Sequence, residues 1–181
     1  MSQHRQHTPS ASRVLQTQLV LPPDTNALGT LFGGRLVEWI DLAAGIACQR
    51  HSRLRVVTAS IDDLHFIQPI RVGAIVELLA QVNATWRTSM EAGVRIESEH
   101  PRSGERVHAC TAYLTFVAQG DDGKSLPVPP IVIETAEDLR RQQDAEERRT
   151  ERLKRAKVRR ERAIARPASA MTSAASGEDG G

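Results

Sequence analysis

Aromatic side chains are scarce in this chain of 181 residues: three Phe, two Trp and one Tyr make up 3% of it. An interior built on rings is therefore excluded, and Val, Ile, Leu and Ala must form the core. Long apolar runs are missing too. No stretch approaches the roughly 18 residues a membrane span needs, so none is expected. Residues 1–12 are polar and rich in His, Gln and Ser, without the apolar segment of a secretory signal. There are two cysteines, Cys48 and Cys110. Both sit in apolar contexts with no metal-ligand spacing, and read as reduced, buried thiols of a cytoplasmic protein. His51, His100 and His108 lack ligand spacing as well, so no metal is expected. No Gly-x-Ser-x-Gly turn or Ser-His-Asp arrangement is found.

Hydrophobic residues reach 40% of the chain, enough for the core of one ordinary domain with extensions. Charge is divided unevenly. Residues 1–133 hold 12 Lys+Arg and 12 Asp+Glu, whereas residues 148–166 hold 10 basic and 2 acidic groups. The small positive net charge of +2 thus belongs to a basic tail on a neutral body.

The most informative stretch runs from Pro23 to Asp41. A polar loop (Asp24, Thr25, Asn26, Gly29, Thr30) reaches Phe32-Gly33-Gly34 and opens a helix expected over Arg35 to His51. Apolar residues cover most of that helix, which marks it as a buried one. Its small residues Ala43, Ala44, Gly45 and Ala47 would let a sheet lie close. A glycine pair at a helix N-terminus exposes bare backbone N–H groups to a ligand. A carboxylate two turns in, Asp41, is costly to bury without a role or a partner. Together they look like an oxyanion site with a nearby base.

The remaining pattern is β. Val14 to Leu21 alternates as a first strand and Pro22-Pro23 ends it. Arg55 to Ile67, Ala74 to Ala84, Ser89 to His100 and Arg106 to Ala118 read as four further strands at hairpin spacing. Pro101-Arg102-Ser103-Gly104 and Gly120-Asp121-Asp122-Gly123 mark turns. Strand, helix, then four strands argues an α+β fold, an antiparallel sheet wrapped around one central helix. Thr135-Ala136-Glu137-Asp138 resembles a capping box. It opens a charged helix to Arg166 with too few apolar residues for a core of its own. The expected organisation is a mobile arm over 1–12, a domain over 13–133, the charged basic helix over 134–166 and a disordered tail over 167–181.

Six ordered pieces resemble one family: Pro23-x-x-Asn26-x-x-Gly29-x-x-Phe32-Gly33-Gly34, Trp39-x-Asp41, Val57-Thr58-Ala59-Ser60, Phe66-x-x-Pro69-Ile70-x-x-Gly73, Arg87-Thr88-Ser89 and Phe116-Val117-Ala118. Over Val14 to Pro130 the chain is similar to the hotdog-fold acyl-CoA thioesterases, in the branch of bacterial short- and broad-chain hydrolases and the cytosolic brain-type hydrolase. The resemblance implies the same sheet-around-helix fold, a homodimer stacked into trimers of dimers, and hydrolysis of fatty acyl-CoA to free acid and CoA. It implies that Asp41 is general base or nucleophile and that Asn26, from the other subunit, orients water or the carbonyl. Gly33 and Gly34 would supply oxyanion donors, and Arg87, Thr88 and Ser89 would contact coenzyme A. No cofactor is implied, since coenzyme A is part of the substrate. Glu38, one turn before Asp41, and His65 are read as non-catalytic. Trp86 stands where the family usually has Gly, and could narrow the loop or stack on adenine. Trp39, Leu42 and Ile46 are candidate walls of an acyl channel.

Two other readings are weaker. A hotdog dehydratase needs a catalytic His in its own motif, which is absent. A non-catalytic acyl-CoA sensor with a nucleic-acid-binding tail has only the basic segment in its favour; no helix-turn-helix pattern accompanies it, so nucleic acid is not an expected partner.

Overall fold

Period-two burial organises three long strands. β3 (Ile75–Thr85) turns Val76, Leu78, Ala80 and Val82 inward; β4 (Ser89–Glu99) turns Ala92, Val94 and Ile96; β5 (Arg106–Gln119) turns Ala112, Leu114, Phe116 and Ala118. With β1 (Val14–Leu19) and β2 (Arg55–Ile61) they form one antiparallel sheet in the order β1-β3-β4-β5-β2. The structure, a computed structural model, describes residues 7–62 and 64–165, the last three by backbone alone. The expected disordered tail over 167–181 lies outside the described residues.

The sheet curls around α2 (Gly33–Ser52). Leu36, Trp39, Ile40, Ala43, Ala44, Ala47 and Cys48 are buried, a stripe at intervals of three and four that gives the helix one inward face. Small residues let the sheet approach: a Cβ added to Gly45 would sit 3.5 Å from the Phe116 ring. One expectation needs correcting, because α2 is not buried all round. Leu42 is 55% exposed. Five strands enclose only the inward stripe, so the opposite flank stays open beside the edge strand β2.

β2 ends at Ile61, six residues before the expected end. Beyond it the chain leaves the ladder, and its backbone is tied to β5 at single points, Asp62 N to Tyr113 O and Ile67 N to Ala109 O, each 2.9 Å. Ala109 is the extra residue of a bulge in β5, and a bulge frees backbone groups from the ladder.

At the N-terminal side, Pro9–Ser12 form one helical turn, α1, within the segment read as a mobile arm. Thr8, Pro9 and Ser12 are buried, and Ser12 Oγ accepts from Val82 N at 2.9 Å. After β5, residues 126–132 run as a strap: Leu126 N bonds Ala118 O, Val128 N bonds Arg87 O and Val132 N bonds His7 O. α3 (Ala136–Ala165) follows. Its start is a reciprocal cap, with Asp138 N donating to Thr135 Oγ1 at 3.1 Å and Thr135 N to Asp138 Oδ2 at 3.2 Å. The chain divides into two compact units, residues 1–145 and 146–181; the second holds the remaining helical turns of α3.

Candidate active site

The loop before α2 is stitched by its own polar groups. The Asn26 Oδ1 accepts from Leu28 N at 2.9 Å and Thr30 N at 3.3 Å, while its Nδ2 donates to Thr30 Oγ1 at 3.0 Å. This is the turn chemistry asparagine favours. Phe32 N donates to Asp24 O at 2.8 Å, and the Asp24 carboxylate pairs with Arg35 at 3.1 Å. The loop therefore delivers the chain to the helix start in one fixed geometry.

Arg35 N and Leu36 N both donate to Phe32 O. The N–H groups of Gly33 and Gly34 precede any helical acceptor, as at every helix start, and carry the positive end of the helix dipole. A Cβ on Gly34 would meet the Phe32 ring at 2.6 Å, and one on Gly33 would meet Phe66 at 3.5 Å. A side chain at position 34 would have to displace the Phe32 ring, whereas one at position 33 would be in ordinary contact with Phe66. A cleft of about 340 Å³ opens beside Gly33, between the helix start and residues 66–70. Trp39, Leu42 and Ile46 are not among its walls.

Asp41 lies on the uncovered flank of α2 and accepts a 2.7 Å hydrogen bond from Thr58 Oγ1 on β2. The Val57-Thr58-Ala59-Ser60 motif by itself assigns Thr58 no role. A lone hydroxyl in a strand reads like any β-branched filler until the topology brings the edge strand alongside the helix. Glu38 turns elsewhere, pairing with Arg35 at 2.8 Å. His65 stays exposed.

Arg87 and Thr88 form the tip of the β3–β4 hairpin, and Ser89 opens β4. Trp86 N donates to Ser89 O at 2.8 Å, and Ala118 N to Thr88 O at 3.0 Å. The register places Met90, Phe116 and Thr58 in one row across the sheet. The hairpin end is thus two strand spacings, roughly 10 Å, from the Thr58–Asp41 pair.

Within one chain the expected residues do not converge. Asn26 hydrogen-bonds inside its own loop rather than to Asp41. Asp41 lies seven positions beyond Gly34 along the helix, a rise of about 10 Å. One chain presents two separate features: bare N–H donors at the start of α2, and the Asp41–Thr58 pair two turns along.

A thioesterase superfamily model matches residues 28–105. The Bacillus subtilis protein named "uncharacterized acyl-CoA thioester hydrolase YkhA" is 43% identical over 144 residues, 80% of this chain and 84% of its own length. The chain belongs to the thioesterase superfamily. This thioesterase is also similar to a solved apo-hexameric acyl-CoA thioesterase, at 44% identity and TM-score 0.79, over 82% of this chain and 96% of the other. A Staphylococcus aureus acyl-CoA hydrolase, solved with butyryl-CoA and CoA, is 34% identical with TM-score 0.78, over 87% and 95% of the two chains. In three further structures of that hydrolase an asparagine, an aspartate or a threonine is replaced by alanine. The asparagine stands 15 positions before the aspartate, and the threonine 17 after it. Asn26, Asp41 and Thr58 of this thioesterase repeat both intervals.

Proposed function

We propose that this thioesterase hydrolyses fatty acyl-CoA to free fatty acid and CoA at sites shared between two copies of the chain. The observation that carries the reading is the Asp41–Thr58 pair, held at 2.7 Å and spaced from Asn26 as in the Staphylococcus relative. Asp41 acts as general base toward water or as nucleophile toward the thioester carbonyl. Thr58 donates to one carboxylate oxygen and leaves the other for the reaction. Gly33 and Gly34 N–H groups of the facing copy receive the developing oxyanion, and the partner subunit's Asn26 orients water or carbonyl. With Asp41 as base, the tetrahedral species formed by water collapses with C–S cleavage, the proton held by Asp41 passes to the thiolate, and acid and CoA thiol leave. With Asp41 as nucleophile, collapse leaves an acyl–Asp41 anhydride that water then hydrolyses to the acid. Arg87, Thr88 and Ser89 suit the phosphates of coenzyme A, with one cation and two hydroxyls at an exposed hairpin.

Dimerisation supports this reading in physical terms. β2 is a sheet edge, and an unpaired edge invites another strand. Beside it Val57, Ile61 and Leu42 are large apolar residues left exposed, a surface a second copy would cover. Stacking three such dimers is compatible with the hexameric relative. A cytoplasmic location belongs to the same proposal; both cysteines are buried free thiols.

The test is CoA release, read with a thiol reagent, from acyl-CoAs of graded length with wild type and Asp41→Asn. Turnover that collapses in a folded Asp41→Asn protein is expected. Tight binding of acyl-CoA without turnover by wild type would overturn the hydrolase reading and favour a sensor.

A further inference from the structure

We infer that the cleft between the start of α2 and residues 66–70 receives the acyl chain, and that Phe66 and Ile67 set the length it admits. The inference rests on the hydrolase reading and adds to it the part of the substrate that sequence left open.

Chemistry of the lining comes first. Leu31, Leu36 and Ile70 form a buried floor, Phe66 and Ile67 form the rim, Thr30 and Gln68 are the polar side chains, and no charged one lines it among the described residues. Such a mainly apolar surface, with its polar groups gathered at the helix start, fits an alkyl chain whose carbonyl lies at that end. Position comes second. Gly33 both lines the cleft and carries a proposed oxyanion donor, so a thioester carbonyl seated there has its α-carbon at the cleft mouth. No other apolar ligand is tied to the reacting atom in this way.

The rim is otherwise unexplained. Phe66 is 51% exposed and Ile67 61%, although covering such apolar side chains is favourable. An alkyl chain lying between them would supply that cover on binding. The walls are held from both sides: Leu31 N donates to Ile70 O at 2.7 Å, and Ile67 N to Ala109 O at 2.9 Å. A cleft pinned at two points discriminates by length better than a mobile one. At roughly 30 Å³ for each water-sized group, about 340 Å³ holds on the order of ten methylenes. The cleft therefore favours medium-length chains.

The experiment measures kcat/KM for acetyl-, octanoyl- and palmitoyl-CoA on wild type, Phe66→Ala and Ile67→Trp, with sedimentation of each protein. Phe66→Ala widens the rim and should raise the palmitoyl-to-octanoyl ratio by roughly tenfold or more. Ile67→Trp narrows it and should lower the octanoyl-to-acetyl ratio by a similar factor. Because the two shifts run in opposite directions and each is a ratio, loss of one variant to misfolding leaves the other decisive. Parallel length profiles in the folded variants would overturn the inference while leaving the hydrolase intact. Altered oligomeric state with an unaltered profile would overturn it too, making the cleft a contact between copies. A wild type that cleaves none of the three thioesters would remove the hydrolase reading, and this inference with it.

Discussion

The two ends of α2 are built on opposite plans. At the N-terminal end the backbone is bare: two glycines, an open cleft and the exposed rings of Phe32 and Phe66. The C-terminal end is sealed. Cys48, His51 and Ser52 are buried there. The His51 Nε2 donates to Pro129 O at 3.0 Å, and the His7 Nδ1 to His51 O at 3.0 Å, with the two rings edge-on at 5.4 Å. Burial pushes the Cys48 thiol far above its ordinary range and holds the His51 imidazole below its own, so neither suits nucleophilic or cationic work. The contrast teaches where this fold keeps reactivity and where it keeps stability. Donors left unsatisfied at one end can serve a ligand, while at the other the His51 Nε2, His7 Nδ1 and Ser52 Oγ hydrogen bonds serve the chain.

Substitutions should respect that division, and a crossed result would break it. Asp41→Asn carries the largest effect: kcat should fall by roughly 10² to 10⁴, with the melting temperature held within error. His51→Ala should do the reverse. Removing a wholly buried ring and its hydrogen bond costs about 2–4 kcal/mol in chemical denaturation, with kcat unaltered well below the melting point. Thr58→Val removes one hydrogen bond to a carboxylate, worth about 1.5–3 kcal/mol, and should lower kcat by roughly ten- to a hundredfold. Thr58→Ser should recover most of that loss, which a purely structural strand residue would not.

The smallest effect concerns pH. An unfolded imidazole takes up a proton near 6.5, whereas buried His51 resists it. Below about 6.5 the unfolded chain therefore binds more protons than the folded one, and stability should fall as pH falls toward the folded value. His51→Gln should flatten this part of the stability curve. A His51→Gln curve parallel to wild type between pH 7 and 5 would show that the sealed end does not hold a neutral imidazole.

Much of this plan is written locally in the sequence. Alternating strands, hairpin turns, the presence of α2 and the Thr135–Asp138 cap depend on neighbours within a few residues, so periodicity and turn chemistry disclose them. What escaped depends on partners far along the chain. Thr58 gains its meaning from Asp41 across the fold, and the arm at His7 is held by His51, 44 residues away. β2 stops at Ile61 because its continuation loses a ladder partner, which no propensity of Leu64 or Phe66 reveals. The open flank at Leu42 is hidden from sequence because composition records how apolar a helix is, not which faces its own sheet can reach. The same limit applies to the cleft, whose walls come from two loops separated by α2 and β2.

The length of helix between Gly34 and Asp41 has a genetic consequence. If one copy contributes the carboxylate and the other the loop, a chain disabled at Asp41 and a chain disabled at Asn26 carry lesions in different halves. Either homo-oligomer is inactive. Coexpressed, they assemble mixed pairs in which one shared site inherits an intact half from each parent, and turnover returns. Two recessive alleles of this one gene would complement each other, as alleles of separate genes ordinarily do.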